Sequence, residues 1–375
     1  MKANSTMKHA IALTLAGWLG LCATLRAEEA PEYGRGFDVY VTSSAAVLSG
    51  DTLLALWPAA ANKEARFLVS IDVSNPSAPK LLDRLALDGF PQDIAIRAGL
   101  ACVVDGRDLV TVDVSTPSAL RRLHALRISD DPMHGPQGVA LDGDIAWLTC
   151  RRGGIRAVNL AAPEAPVVVG TAAAPAFLRG LLIKNQRLYA AGDTRGVFVF
   201  DISNPKSPTL LHRTPAPEGC IGRLRLLGDT AFLAGGNVLV AGLSLANGDR
   251  PEWLGATEDR GLMSPFFGSY AHDLTITSLP STETGSSRPV AAVADDEGGL
   301  ILVDLSQPAS PQFLGAVLSQ GLGGAFLATG LTSKGATIFL IDQSYGLRVV
   351  DISDPTQPKP IGTGLDLQLE VKGTE

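Results

Sequence analysis

Charge is scarce in this chain, and so are the motifs that announce chemistry. Only 18% of its 375 residues are Asp, Glu, Lys or Arg, and the net charge is −7. With no basic stripe to neutralise phosphates, a nucleic-acid partner is excluded. No G-x-S-x-G, H-E-x-x-H, P-loop or dinucleotide fingerprint occurs in a credible context, which removes the commonest hydrolase, zinc-protease and nucleotide signatures. Cysteine is sparse: four residues, none with C-x-x-C or metal-finger spacing. Long apolar runs are almost missing as well. The one at residues 10–23 follows Lys2 and Lys8 and precedes Leu25-Arg26-Ala27. A basic start, an apolar segment too short for a bilayer and a small residue for cleavage predict a secretory signal over residues 1–27. Cys22 raises the alternative of a lipid anchor. Leu21 stands where a lipobox wants a small residue, so soluble export is favoured. No later segment could span a membrane.

What the chain has in abundance is one phrase. Residues 197–211 read as a short apolar strand, an Asp, a Ser-Asn-Pro-x-x-Pro turn and a second strand. Clear copies fall at residues 68–82, 109–123, 300–314 and 347–361. A weaker copy at 155–169 carries Asn159 for the Asp, and the weakest, 238–254, keeps only the strand, Pro251 and Trp253-Leu254-Gly255. Anchored on Asp72, Asp113, Asn159, Asp201, Ser244, Asp304 and Asp351, the spacings are 41, 46, 42, 43, 60 and 47. Short strands repeated every 40–50 or so residues are the signature of a β-propeller with about four strands per blade. Seven copies predict an all-β fold, a seven-bladed β-propeller of four-stranded antiparallel blades.

Each part of the phrase has a mechanical reason. Leu300-Ile301-Leu302-Val303 is apolar throughout because a middle strand is covered on both faces by neighbouring blades. The following Asp accepts backbone N–H bonds in a tight turn, and Pro205 fixes φ there. Pro208 precedes the outermost strand, where a missing N–H is harmless. The recurring Asp is therefore a turn former, since five equivalent aspartates cannot all be one active site.

Leu109-Val110-Thr111-Val112-Asp113, Leu300-Ile301-Leu302-Val303-Asp304 and Leu347-Arg348-Val349-Val350-Asp351, each followed by a Ser-x-Pro-x-x-Pro variant, resemble the LVIVD repeat of bacterial and archaeal surface proteins. The resemblance covers residue 45 to the C-terminus. It implies a β-propeller in exported proteins and brings no shared catalytic residues. Residues 28–44 form a lead-in, with a strand-like alternation at 37–42, and the propeller occupies 45–375. Blade one is expected to have strands near residues 45–48, 52–57, 67–73 and 80–87. The last blade is expected to supply its own outer strand at 365–371, which leaves the ring's latch open. Of the cysteines left after cleavage, Cys102 and Cys150 lie on second strands of adjacent blades and read as buried small hydrophobes, while Cys220 falls in a loop. Position eleven after the anchor holds His124 and His212 in two copies, expected to face solvent.

The 60-residue spacing holds two insertions. Residues 279–288 are polar and read as a flexible loop. Residues 257–271, with Phe266, Phe267 and Tyr270, open on the face that usually carries propeller sites. The loops on that face gather Asp93, His134, Arg179, Arg223, His272 and Asp273 before inner strands. Between second and third strands they gather Asp105, Arg107, Arg151, Arg152, Asp295 and Asp296. His272-Asp273 is the sharpest pair, with His134 three blades away. Asp295-Asp296-Glu297 lacks the alternating oxygen spacing of a calcium loop. Two functional readings stay open. The favoured one is an exported, non-enzymatic binding or scaffold module at the cell envelope, with a protein or small-ligand partner on this mouth and no cofactor. The alternative is a periplasmic metal-assisted hydrolase using His272, Asp273, Asp93 and His134.

Overall fold

The computed structural model describes residues 45–58, 66–192, 195–216, 222–235, 238–258, 271–280, 287–295, 299–318, 328–342 and 346–367. The expected signal and lead-in (1–27 and 28–44) lie outside these residues, as do Cys22, Cys220, Phe266, Phe267, Tyr270 and Asp296.

The apolar third strands cannot stay in water on either face, and the chain resolves this by stacking sheets around a ring. Seven sheets, each antiparallel with its first four strands in chain order, make seven blades. Their innermost strands are Ala46–Ser49, Pro91–Arg97, Pro136–Asp142, Leu181–Lys184, Arg223–Leu227, Ala271–Pro280 and Ala328–Lys334. Blade one's strands, Ala46–Ser49, Thr52–Pro58, Arg66–Asp72 and Lys80–Ala86, fall within one residue of expectation. Each of seven apolar clusters lies between two neighbouring blades. The one joining Trp57 and Val69 of blade one to Phe339 and Val349 of blade seven closes the circle.

The turn chemistry repeats seven times. Asp72, Asp113, Asn159, Asp201, Ser244, Asp304 and Asp351 each accept the backbone N–H two residues on, at 2.7–3.4 Å. Hydrogen bonds from the Ser74 and Ser115 side chains and from the Ser203 backbone hold Asp72, Asp113 and Asp201 below the usual carboxylate range. A second turn follows around each proline, as in Ser207 N–H to Asn204 C=O at 3.0 Å. The weakest repeat makes the same turn at Asn247-Gly248, Arg250 N–H to Asn247 C=O, also 3.0 Å.

The last blade does supply its own outer strand, in two pieces: Lys359–Pro360 and Leu365–Asp366 both pair with Gly346–Asp351. The apolar cluster between blades seven and one closes the ring, and an exposed ion pair across the same seam supplements it. Lys334 of blade seven pairs with Asp51 of blade one. The same clamp, a cation at the end of an inner strand gripping the next blade's Gly-Asp turn, recurs as Arg97 on Gly143-Asp144 and Lys184 on Gly228-Asp229.

Two expectations need correction. The flanks of the 279–288 insertion are strand, Pro280 pairing with Ser287 and Leu279 with Arg288, while residues 281–286 lie outside the described residues. Leu279 is buried against blade seven, and that apolar contact holds its flank in strand form. Position eleven does not simply face solvent; it meets the turn of the next blade. Asp83 there accepts the Leu120 N–H at 2.6 Å. Glycine fills the position in four copies because the approach is so close: a Cβ on Gly255 would stand 1.9 Å from the Ala309 carbonyl oxygen. His124 and His212 are half-buried. Cys102 and Cys150 are free, buried thiols in one cluster, both pushed up to about 12 by burial, as small hydrophobes would be.

Replacing Gly255 with Ala should therefore cost about 1–3 kcal/mol through overpacking, read as a lower thermal midpoint. An unchanged midpoint would show that the blades can part without penalty.

Candidate functional site

The seven inner strands begin on one face of the ring, and their first residues converge on the channel. In blade two the pairing shifts between Pro91 and Asp93, and in blade six between Ala271 and Asp273. Such a bulge re-aims the side chain that follows it. Each carboxylate caps its own bulge, Asp93 taking the Ile94 N–H at 3.0 Å and Asp273 the Leu274 N–H at 2.9 Å.

Arg223, the first residue of blade five's inner strand, reaches across the channel. It donates through Nη1 to Asp93 and through Nη2 to the Gln92 carbonyl at 2.6 Å. Its Nε lies 3.8 Å from Asp273 Oδ1, which also accepts from Arg225 Nη2 at 2.9 Å. Asp93 Oδ2 takes the Val139 N–H of blade three at 2.9 Å. Two arginines and two carboxylates thus bind blades two, three, five and six into a neutral clasp. Burial pushes Asp273 up, opposed by Arg225 and Arg223.

The clasp draws on one repeat position. By register, Asp93, Gly138, Gly180, Arg223, Asp273 and Gly330 all immediately precede the buried inner-strand residue Ile94, Val139, Leu181, Leu224, Leu274 or Leu331. Charged side chains occupy three of these positions and glycine the others, leaving the bore clear for a long side chain.

Below the clasp the channel continues as a cavity of about 550 Å³, lined by residues of all seven inner strands and running toward the face of the first-to-second-strand turns. The expected mouth residues distribute differently. His272 is buried next to Asp273. His134 ends a short 3-10 turn, Pro132–His134, with its Nδ1 2.8 Å from Asp131 Oδ2. Arg151 and Arg179 both lie over the Phe177 ring, each 5.2 Å from its centroid. Arg152 is exposed, and Asp295 is buried at a strand end. Among the described residues no group of three or more His, Cys, Asp or Glu is placed to hold a metal. Sequence reasoning named both Arg223 and Asp93 without pairing them and missed Arg225 and Phe177; the available signal was Arg-x-Arg at the start of an inner strand.

Asp105, expected at the mouth, is a buried loop clamp. Its Oδ2 accepts the N–H groups of Asp88 and Gly89, at 3.0 and 2.9 Å, while its Oδ1 has no hydrogen-bond partner. Burial pushes this carboxyl up; the two N–H bonds and Arg122 oppose that, and Asp88 reinforces it.

The LVIVD repeat model matches residues 64–86, 88–122, 183–214, 291–319 and 334–363. These are blades one, two, four, six and seven; the unmatched blades three and five are those anchored on Asn159 and Ser244. Solved structures share the fold at low identity. A putative 6-phosphogluconolactonase from Bacteroides uniformis is 12% identical with a TM-score of 0.62, over 86% of this chain and 97% of that one. A hypothetical selenium-binding protein from Sulfolobus tokodaii is 12% identical, TM-score 0.61, over 84% and 91%. BamB from Moraxella catarrhalis is 11% identical, TM-score 0.50, over 81% and 92%. No curated protein matches the sequence.

Two outcomes follow from this geometry. Arg223→Met strands the buried Asp93 carboxylate and should cost about 3–5 kcal/mol in urea unfolding; adding Asp93→Asn should recover much of that. Simple additivity of the two would mean the groups are not coupled. At Asp105 the folded pKa is raised, so the stability this group contributes is complete below the ordinary carboxylate value of 3.8 and is lost as pH rises through the raised value. Asp105→Asn, which keeps an acceptor and cannot ionise, should match the native protein at low pH and gain on it toward neutrality. A constant difference across a pH series of melting curves would contradict the assignment.

Proposed function

The chain is an LVIVD-repeat β-propeller, and on that footing we propose that it serves as an exported, non-enzymatic binding or scaffold module at the cell envelope. The observation that carries this reading is the clasp. The two carboxylates a channel hydrolase would need, Asp93 and Asp273, are engaged by Arg223 and Arg225. A metal would have to displace a buried, neutralised ion network to reach them, at a cost of several kcal/mol. The fold itself selects no activity: its structural neighbours carry three unrelated descriptions at 11–12% identity. Export rests on the basic, apolar and small-residue order of residues 1–27.

The partner docks on the face where the inner strands begin. There Arg152 is exposed, His134 is partly exposed and Arg151 is fixed on Phe177, so donors sit on a rigid rim. A variant carrying His134→Ala, Arg151→Ala and Arg152→Ala should stay folded, because none of the three belongs to the clasp. In co-purification from the native envelope, the wild type should retain a partner that this variant loses. Equal capture by both would remove the docking face. A stoichiometric metal in the purified protein, together with hydrolysis abolished by His272→Ala, would replace the binding reading with the enzymatic one.

A further inference from the structure

The geometry points to a second site, in the channel below the clasp and entered from the opposite face, that binds a small carboxylate with a short apolar body. The Arg223–Asp93 pair of the clasp lines one end of the 550 Å³ space, which falls within the roughly 300–1,000 Å³ range of small-ligand sites. Its wall is divided by blade. Leu48, Ile96 and Leu181 give it apolar surface on blades one, two and four, and Asp93 of blade two, which also lines it, is paired with Arg223. On blades five, six and seven it is polar.

Arg225, balanced by Asp273 within the clasp, is the more exposed of that wall's two guanidinium groups. Its side chain is 36% exposed, against 10% for Arg223. The Asp273 carboxylate that it contacts is shared with Arg223. Among the described residues its Nη1 donates to the neighbouring Leu224 carbonyl, at 3.0 Å. Hydroxyl groups line the same cavity, Thr275 Oγ1 and Ser333 Oγ 3.3 Å apart, with Thr332 next to Ser333 in the chain. A guanidinium with hydroxyls alongside, facing an aliphatic wall inside a water-restricted bore, selects a carboxylate head on an apolar tail. A cation meets the like charge of Arg225, and a neutral alcohol gains only the wall.

The pocket is independent of the docking rim, so the test needs no partner. Purified protein is titrated by calorimetry with hexanoate, hexan-1-ol and hexylamine. Hexanoate should bind, and the alcohol and amine should bind at least about tenfold more weakly, the worth of one charge-assisted contact. Thr332→Phe, which fills the bore, should abolish binding with the circular dichroism spectrum unchanged. Arg225→Gln should weaken hexanoate about tenfold while leaving hexanol unaffected; if that variant fails to fold, the head-group ranking and Thr332→Phe decide. No binding of hexanoate at millimolar concentration, equal binding of the alcohol, or full binding by Thr332→Phe would each overturn the assignment and leave a water-filled channel.

Discussion

Everything in this ring depends on the fact that a blade has two apolar faces and only another blade can cover them. Leu302 and Ile301, neighbours on one strand, belong to different clusters on opposite sides of their sheet. An open row of blades would leave two such faces in water, a large exposed patch of the kind soluble monomers avoid. Closure is therefore demanded by the same apolar strands that make the repeat recognisable. The turn aspartates fix where each outer strand begins, and glycine at position eleven lets that strand meet the next blade's turn. Local turn chemistry and global closure are thus coupled at one repeated contact.

This division explains what could be read from the sequence. Blade number, strand positions, the turn role of Asp72 and its equivalents, and the burial of Cys102 and Cys150 were legible because each depends on residues close in the chain or on a pattern copied seven times. The latch was not. Lys334 and Asp51 are 283 residues apart and individually look like ordinary surface charges. Arg223 and Asp93 are 130 apart, and nothing local marks either as the other's partner. Position eleven misled for a related reason: alternation along one strand predicts which side a residue faces, but not that a neighbouring turn lies there. The flanks of the 279–288 insertion were read by composition, whereas Leu279 finds an apolar site on the adjacent blade.

The clasp shows how burial reorders a set of charged residues. Seen as sequence, Asp93, His272 and Asp273 invite a metal, because carboxylates and imidazole are metal ligands. In the fold the carboxylates sit where isolated ions are costly, and two arginines pair with them, although the buried Oδ2 of Asp273 is left without a hydrogen-bond partner. Such a network adds little net stability over an apolar plug. What it does specify is geometry: Arg223 spans the bore, so blades two and five must stand at a set separation. Arg152 and His134 keep exposed surface on the rim, where the partner docks, and the channel continues below the clasp.

Function in a repeat protein has to come from departures from the repeat, since whatever is shared by seven blades cannot single out a site. The position before Ile94 and its equivalents shows this directly. Had all seven blades carried Asp there, their mutual repulsion would have opened the channel; had all carried Gly, the bore would be an unobstructed tube. Glycine at three of the positions, Gly138, Gly180 and Gly330, opens the space that Arg223 crosses. Asp93 and Asp273 determine where it lands. Arg225 then lies two residues further along, on the same side of the strand as Arg223, as the two-residue period of a strand requires. The pocket's cation is thus placed by the register that places the plug, so a shift that moved one would displace the other.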